Sequence, residues 1–257
     1  MRGFMRVLCQ NLTKNVQRSR SFHQNQGGGQ KSKSIAGLQA AIDLQHSAMS
    51  EQCILVDEHD RNLGQISKRE CHRVIDGQIP LHRAFSVFLF NARGDMLLQK
   101  RSSYKITYPN HYTNACCSHP LYEIEGEREE RDALGIRRAA QRRLNHELGI
   151  PLHQIRPENM HYLTRIHYKD LGDGVWGEHE IDYILFLQKD VDLNPNKNEI
   201  SDIRFVSREN YKKEIDALPG ELTPWFKLIL KHRLPVWWSD LSKLKLHEDL
   251  DTIYKFS

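Results

Sequence analysis

RDALGIRRAAQRRLNHELG, residues 131–149, decides the fold class. Ala133, Leu134, Ile136, Ala140, Leu144 and Leu148 recur at helical spacing, so the segment predicts an α-helix with one apolar stripe, and Gly149 with Pro151 stops it. Arg143 and Glu147 stand four apart on one face, where an exposed pair would be worth little. On either side of this helix the chain reads as strands. Residues 84–90 and 96–100 flank an NARGD turn and predict a hairpin, and QCILVDEHDRNLGQISK (52–68) reads as two short strands around an acidic turn. Residues 161–168, 180–188 and 203–206 read as further strands, followed by helices from about Ser207, from Thr223 and near Asp240. Strands and helices alternate irregularly and without repeat. That predicts an α+β fold with mixed sheets rather than a doubly wound one.

The length of 257 residues fits one domain with extensions, expected as a basic N-terminal extension over 1–34, a weakly amphipathic helical lead-in over 35–50 and the domain proper over 51–257. The extension carries Arg2, Arg6, Lys14, Arg18, Arg20, Lys31 and Lys33 with no acid, a composition shared by mitochondrial transit peptides and by disordered basic tails. The expected compartment is cytoplasmic or mitochondrial; the closing YKFS is not a peroxisomal SKL signal. A net charge of +4 is too mild to argue for nucleic acid, and no apolar run reaches the length of a membrane span. Cys9, Cys53, Cys71, Cys116 and Cys117 are odd in number and lack a disulfide-framework spacing, so they read as free thiols or ligands.

Chemistry concentrates in two stretches. In TNACCSHP (113–120) an extended backbone points Cys117 and His119 one way and Cys116 and Ser118 the other. In WGEHEIDYILF (176–186) Glu178 and Glu180 share the face of a strand that runs into an apolar core. Each has a plain reading, since paired cysteines are usually buried as small hydrophobes and alternating glutamates usually form a solvated strand face. The position at the mouth of an apolar strand tips the balance, because half-buried carboxylates need partners. If His72, His82 and His119 converge with Glu178 and Glu180, they form a mixed nitrogen and oxygen set suited to Mg2+, Mn2+ or a labile Zn2+. Lys68, Arg101, Lys105 and Arg143 flank the same segments and would suit a phosphorylated substrate if they are not solvated surface charges.

LHRAFSVFLFN, KITYPNHYTNACCSHPL, AAQRRLNHELGI and WGEHEIDYILF, in that order, resemble the type I isopentenyl diphosphate isomerases, and the eukaryotic members in particular. The resemblance covers roughly residues 51–246. It implies a Nudix-like α/β/α sandwich with mixed sheets and a reaction that shifts the double bond of isopentenyl diphosphate to give dimethylallyl diphosphate. It further implies Cys117 as the catalytic thiol and Glu180 as the second catalytic residue. Tyr168 assists the acid, and Trp225 shields a cation. Lys68, Arg101, Lys105 and Arg143 hold the diphosphate. His72, His82, His119, Glu178 and Glu180 are implied as ligands of one divalent ion, and Glu147 as the neighbour of a substrate-bound Mg2+.

These residue types suit the chemistry. An unactivated alkene is a weak base, so a strong acid must be held against it in a dry pocket, and an aromatic face stabilises the tertiary cation that water would trap. The sequence expectation has Glu180 with Tyr168 protonating and a Cys117 thiolate deprotonating. The alternative is a Nudix pyrophosphohydrolase, whose REUxEExGU helix needs several carboxylates; residues 142–150 read RRLNHELGI and keep only Glu147. A structural zinc module would need paired CxxC or HxxxH ligands, which these residues lack. The expected partner is a small allylic or homoallylic diphosphate bound by a monomer. His111 and His146 receive no role.

Overall fold

The structure, a computed structural model, describes residues 28–256. The basic extension expected over 1–34 lies for the most part outside the described residues. Two units are distinguished, Met1–Ala40 and Ala41–Ser257. Helix α1 spans Gly28–Ala48, and its last turns belong to the second unit, where Ala41 and Met49 are buried. No described helix is long and apolar enough to cross a membrane.

The second unit is built on one mixed sheet whose central strand is β3, His82–Phe90, buried along all nine residues. Such a strand must be apolar on both faces, as AFSVFLF is. One edge of β3 pairs in parallel with β8, Glu178–Gln188, from His82 opposite Glu180 to Phe90 opposite Gln188. Three strands share its other edge. These are β1 (Gln52–Val56) at His82, β6 (Cys116–Ser118) at Phe85 to Val87, and β4 (Met96–Arg101) at Phe90. The hairpin expected around NARGD therefore closes on a single pair, and β4 leaves to pair antiparallel with β9, Ile200–Val206, and with the short β5, Tyr112–Thr113. Strand β2 (Asn62–Ser67) extends the sheet beyond β1. Strands β7 (His161–Asp170) and β10 (Ile253–Lys255) extend it beyond β8; no expectation had been formed for β10.

Alternation along β3 and β8 sorts the core into two layers. Phe85, Val87, Leu89, Ile181, Leu185 and Leu187 pack with Ile136, Ala139, Ala140, Leu144 and Leu148 of a helix at Leu134–Leu148, here α3 after the single turn α2 at Lys68–Cys71. Phe88, Phe90, Ile184 and Phe186 pack on the opposite face with Trp225, Phe226 and Ile229 of α5 (Pro224–His232) and Trp237 and Trp238 of α6 (Leu234–Ser239), beyond the short α4 at Tyr211–Asp216. Helix, sheet and helix are the three layers of the expected α/β/α sandwich, and each fully buried large side chain contributes about 1.5–3 kcal/mol. The apolar stripe of α3 is the one read from sequence, but the helix starts later, at Leu134. The residue before it, Ala133, takes a left-handed φ of 51° that interrupts the turn. Gly149 caps the other end at φ 66°, with Asn194 O 2.3 Å from where a Cβ would stand, so only glycine fits.

Candidate active site

The register of β3 and β8 brings His82 level with Glu180. On the same face of β8 stand Glu178, Glu180 and Asp182, all buried. His119 follows β6, and His72 is the C-cap of α2. His72, His82, His119, Glu178 and Glu180 converge so that their ligand atoms all lie within 4.8 Å of one another. The chain thus brings together the five residues expected as ligands. Glu147 lies apart from them, its carboxylate taken by Arg143 at 2.6 Å and by Gln99 at 3.2 Å.

The donor set suits a divalent cation. His82 Nδ1 faces Pro80 O at 3.0 Å, and since a carbonyl only accepts, Nδ1 carries a proton and Nε2 is the nitrogen turned to the cluster. His82 Nε2, His119 Nδ1 and Glu178 Oε2 are buried polar atoms without a hydrogen-bond partner. Nitrogens and carboxylates together, at more than four ligand atoms, fit an ion with mixed coordination better than a closed structural zinc site. Electrostatics point the same way. Burial, followed by the neighbouring Glu180 charge, drives the Glu178 carboxyl well above its ordinary range, so a proton sits there in the absence of a cation. Burial pushes His119 down to about 4 against the pull of Glu180, and His72 is also lowered, by burial and then by His82.

Glu180 is the hub. Burial opposes its charge, but a bond from His119 (Nε2 to Oε1, 2.9 Å) and the nearness of His82 (Nε2 3.5 Å from Oε1) hold its carboxyl well below the usual range. Tyr168 donates its hydroxyl to Oε2 at 2.5 Å.

Cys117 is half-buried, its sulfur on the face opposite that of Cys116, which is lost in the core. The hydrogen bonds locate the thiol proton. Asn114 uses its amide nitrogen on the carbonyls of Val87 (3.0 Å) and Cys116 (3.1 Å), so its Oδ1 is turned to Cys117 Sγ at 3.0 Å and accepts from the S–H. Trp225 Nε1 donates to the same sulfur at 3.0 Å, and Thr113 and Ser86 hydroxyls lie at 3.5 and 3.6 Å. Burial, then the charge of Asp182, pushes the Cys117 thiol up to about 12 against the Thr113 and Ser86 bonds. With no cation bound, these shifts favour the thiol form of Cys117 and the ionised form of Glu180.

One cleft is lined by Cys117, Glu180, Tyr168 and Trp225 and by the cations Lys68, Arg101, Lys105 and Arg143. Arg143 and Glu147 are buried rather than the surface pair their helical spacing allows. Arg101 lies 5.6 Å over the Trp225 ring and donates to Thr107 O at 2.8 Å. Lys68 pairs with Glu51 at 3.6 Å, and Lys105 with Glu199 at 2.6 Å. Sequence reasoning missed Glu199, Asp182, Thr113, Asn114 and Ser86. For Asp182 the signal was present, since it is the next position of the alternation that selected Glu178 and Glu180. His111 points its Nδ1 at Pro109 O, 2.9 Å away, and packs edge-on against Tyr108.

A family model described as NUDIX domain matches residues 80–226. The chain is 53% identical over 218 residues to isopentenyl-diphosphate Delta-isomerase 1 of Mesocricetus auratus, covering 83% of this chain and 95% of that protein. It is 51% identical over 219 residues to the enzyme of the same name from Bos taurus, with 83% and 95% covered. A crystal structure of a Deinococcus radiodurans protein matches at 18% identity and a TM-score of 0.48, over 72% of this chain and 100% of that one.

Proposed function

The chain belongs to the isopentenyl-diphosphate Delta-isomerases, within the NUDIX domain family, and from that premise we propose that Cys117 and Glu180 move the proton that converts isopentenyl diphosphate to dimethylallyl diphosphate. The observation that carries this reading is that both groups line one cleft, with an indole and four cations around it. Cys117 S–H gives its proton to the terminal alkene carbon, leaving a tertiary cation. Glu180 then takes a proton from the carbon next to the oxygen-bearing one, and the allylic double bond forms. One hydrogen enters and one leaves, so the product is an isomer. In the reverse direction the two roles exchange.

The surroundings support each step. Trp225 offers its π-face to the cation and its N–H to the sulfur, stabilising the thiolate left behind. Tyr168, bonded to Glu180 Oε2, fixes which oxygen is used. Lys68, Arg101, Lys105 and Arg143 bind the diphosphate, and Glu147 faces the Mg2+ that accompanies it. His72, His82, His119, Glu178 and Glu180 would hold a divalent ion, Mg2+, Mn2+ or Zn2+. When bound, that ion supplies fixed positive charge that stabilises the ionised carboxylate.

A hydrolase reading is less supported. Multi-metal activation of water needs several carboxylates on α3, and residues 142–150 hold one acid, Glu147. The test is to incubate purified protein with isopentenyl diphosphate and Mg2+. Acid-labile allylic product is expected; release of phosphate or pyrophosphate in its place would sink the isomerase reading.

A further inference from the structure

Resting on the reading of the five-residue cluster as a divalent-ion site, we propose that Cys71 is a positioning residue of that site: its sulfur accepts the Nδ1–H of His72 and so keeps Nε2 as the nitrogen offered to the cation. Cys71 ends the single turn α2 and is fully buried. Its sulfur lies 3.1 Å from His72 Nδ1 and 3.4 Å from Lys68 O. A carbonyl only accepts, so the Lys68 contact takes the thiol's own proton, and the buried Cys53 thiol beside it is a second acceptor for that proton. Either way the sulfur's lone pairs stay open to the ring. On the far side of the ring His72 Nε2 lies 3.4 Å from Glu178 Oε2, and that oxygen has no hydrogen-bond partner. The ring proton is therefore not spent there; it sits on Nδ1.

The backbone fixes where His72 stands but leaves its ring free to turn. Ser67 caps α2 by accepting from Glu70 N at 3.2 Å, and Gly177 N donates to His72 O at 2.9 Å, which ties the residue to the chain one position before Glu178. The orientation and tautomer of the ring then depend on what Nδ1 meets. His82 meets a carbonyl, Pro80 O at 3.0 Å; at His72 the sulfur takes that part. A metal-bound imidazole almost always donates its other N–H to such a partner, and removing the partner typically costs about 10–100-fold in metal affinity. Cys71 also joins two functions of the turn, because the carbonyl it holds belongs to Lys68, a cation of the cleft.

The experiment uses the full chain, stripped of metal, as wild type, Cys71→Ala and Cys71→Ser, with Cys53→Ala as a packing control. Titration with Mn2+ alone, the free ion read by its electron paramagnetic resonance signal, gives the affinity. Long-range proton–nitrogen correlation spectra of the metal-free proteins show which nitrogen of His72 is protonated. The wild type should show Nδ1–H. Cys71→Ala should bind Mn2+ roughly tenfold more weakly, the lower end of the range because sulfur is a weak acceptor, and its Nε2–H form should gain. Cys71→Ser has a hydroxyl that can donate to Lys68 O and accept from Nδ1, and it should recover most of the loss. Cys53→Ala opens a similar hole but leaves the sulfur on His72 in place, and it should bind as the wild type does. A wild-type His72 protonated at Nε2 overturns the proposal without any variant. Equal weakening in Cys71→Ala and Cys53→Ala would reduce Cys71 to a packing residue and overturn it as well. Tight wild-type binding that is unchanged in Cys71→Ala removes this inference alone, whereas a wild type that binds no Mn2+ removes the cation-site reading and this inference with it.

Discussion

A thiol that donates to an amide oxygen and accepts from an indole N–H is poised to lose its proton only when something better is offered. At Cys117 the two bonds, to Asn114 and from Trp225, are both 3.0 Å. With the thiol held up to about 12, the folded group keeps its proton through the range where a free cysteine, near 9, would ionise. The sign follows: thiolate is scarce at pH 7–8 and increases about tenfold per pH unit up to the folded value. In metal-stripped protein the Cys117-specific alkylation rate, taken as the difference from Cys117→Ser, should climb in that way through pH 9–11. A rate already level at pH 7 would put a thiolate in the resting site and reverse the order of proton transfers. Cys117→Ala should lower turnover by at least about 10³-fold, the upper part of the range for one acid–base group. Because the side chain is small and half-buried, the melting temperature should stay within a few degrees. Near-normal turnover in that variant would remove Cys117 from the mechanism.

Helix α3 ties the core to the diphosphate grip, and its start depends on a close approach. A Cβ on Gly135 would lie 2.3 Å from Glu127 O and 2.8 Å from Glu129 O, both backbone atoms. Glu127 cannot yield easily, since its side chain is held by Arg142 at 2.6 Å and by Leu121 N at 2.8 Å. Gly135→Ala should therefore destabilise by about 2 kcal/mol or more, read as a melting temperature lower by about 5 °C. An unchanged melting curve would mean that the 3-10 turns ahead of α3 simply give way. The stripe of this helix was legible because its period is local, and so was the shared face of Glu178 and Glu180. Burial of the Arg143–Glu147 pair was not legible. It depends on Gln99, 48 residues from Glu147, and on Glu199, 56 residues from Arg143, and no local pattern reports such partners. Asp182 was within reach of the same two-residue period. In IDYILFL, however, it reads as one incidental acid in an apolar run.

At the scale of the molecule the issue is whether the five-ligand cluster holds the fold or only uses it. Its members come from the end of α2, the start of β3, the residue after β6 and the start of β8, so an ion there would tie four segments of one sheet end. The two apolar layers, however, run the length of β3 and β8 on both faces and engage α3, α5 and α6, meeting the cluster at Tyr168, which bonds Glu180. Stripping the ion with a chelator should leave the near-ultraviolet circular dichroism at 25 °C essentially intact and lower the melting temperature only by the lost binding linkage. Isomerase activity should vanish and return when a divalent ion is restored. Proton flow gives a second readout. Glu178, raised well above the usual carboxylate range by burial and then by Glu180, is protonated when no cation compensates it and ionised when one does. Loading the site at pH 7 should thus release protons, on the order of one per ion, detectable with a weakly buffered dye. Chelation that melts the protein at room temperature would make the centre structural, and the proton transfers would then have to be assigned to groups outside it.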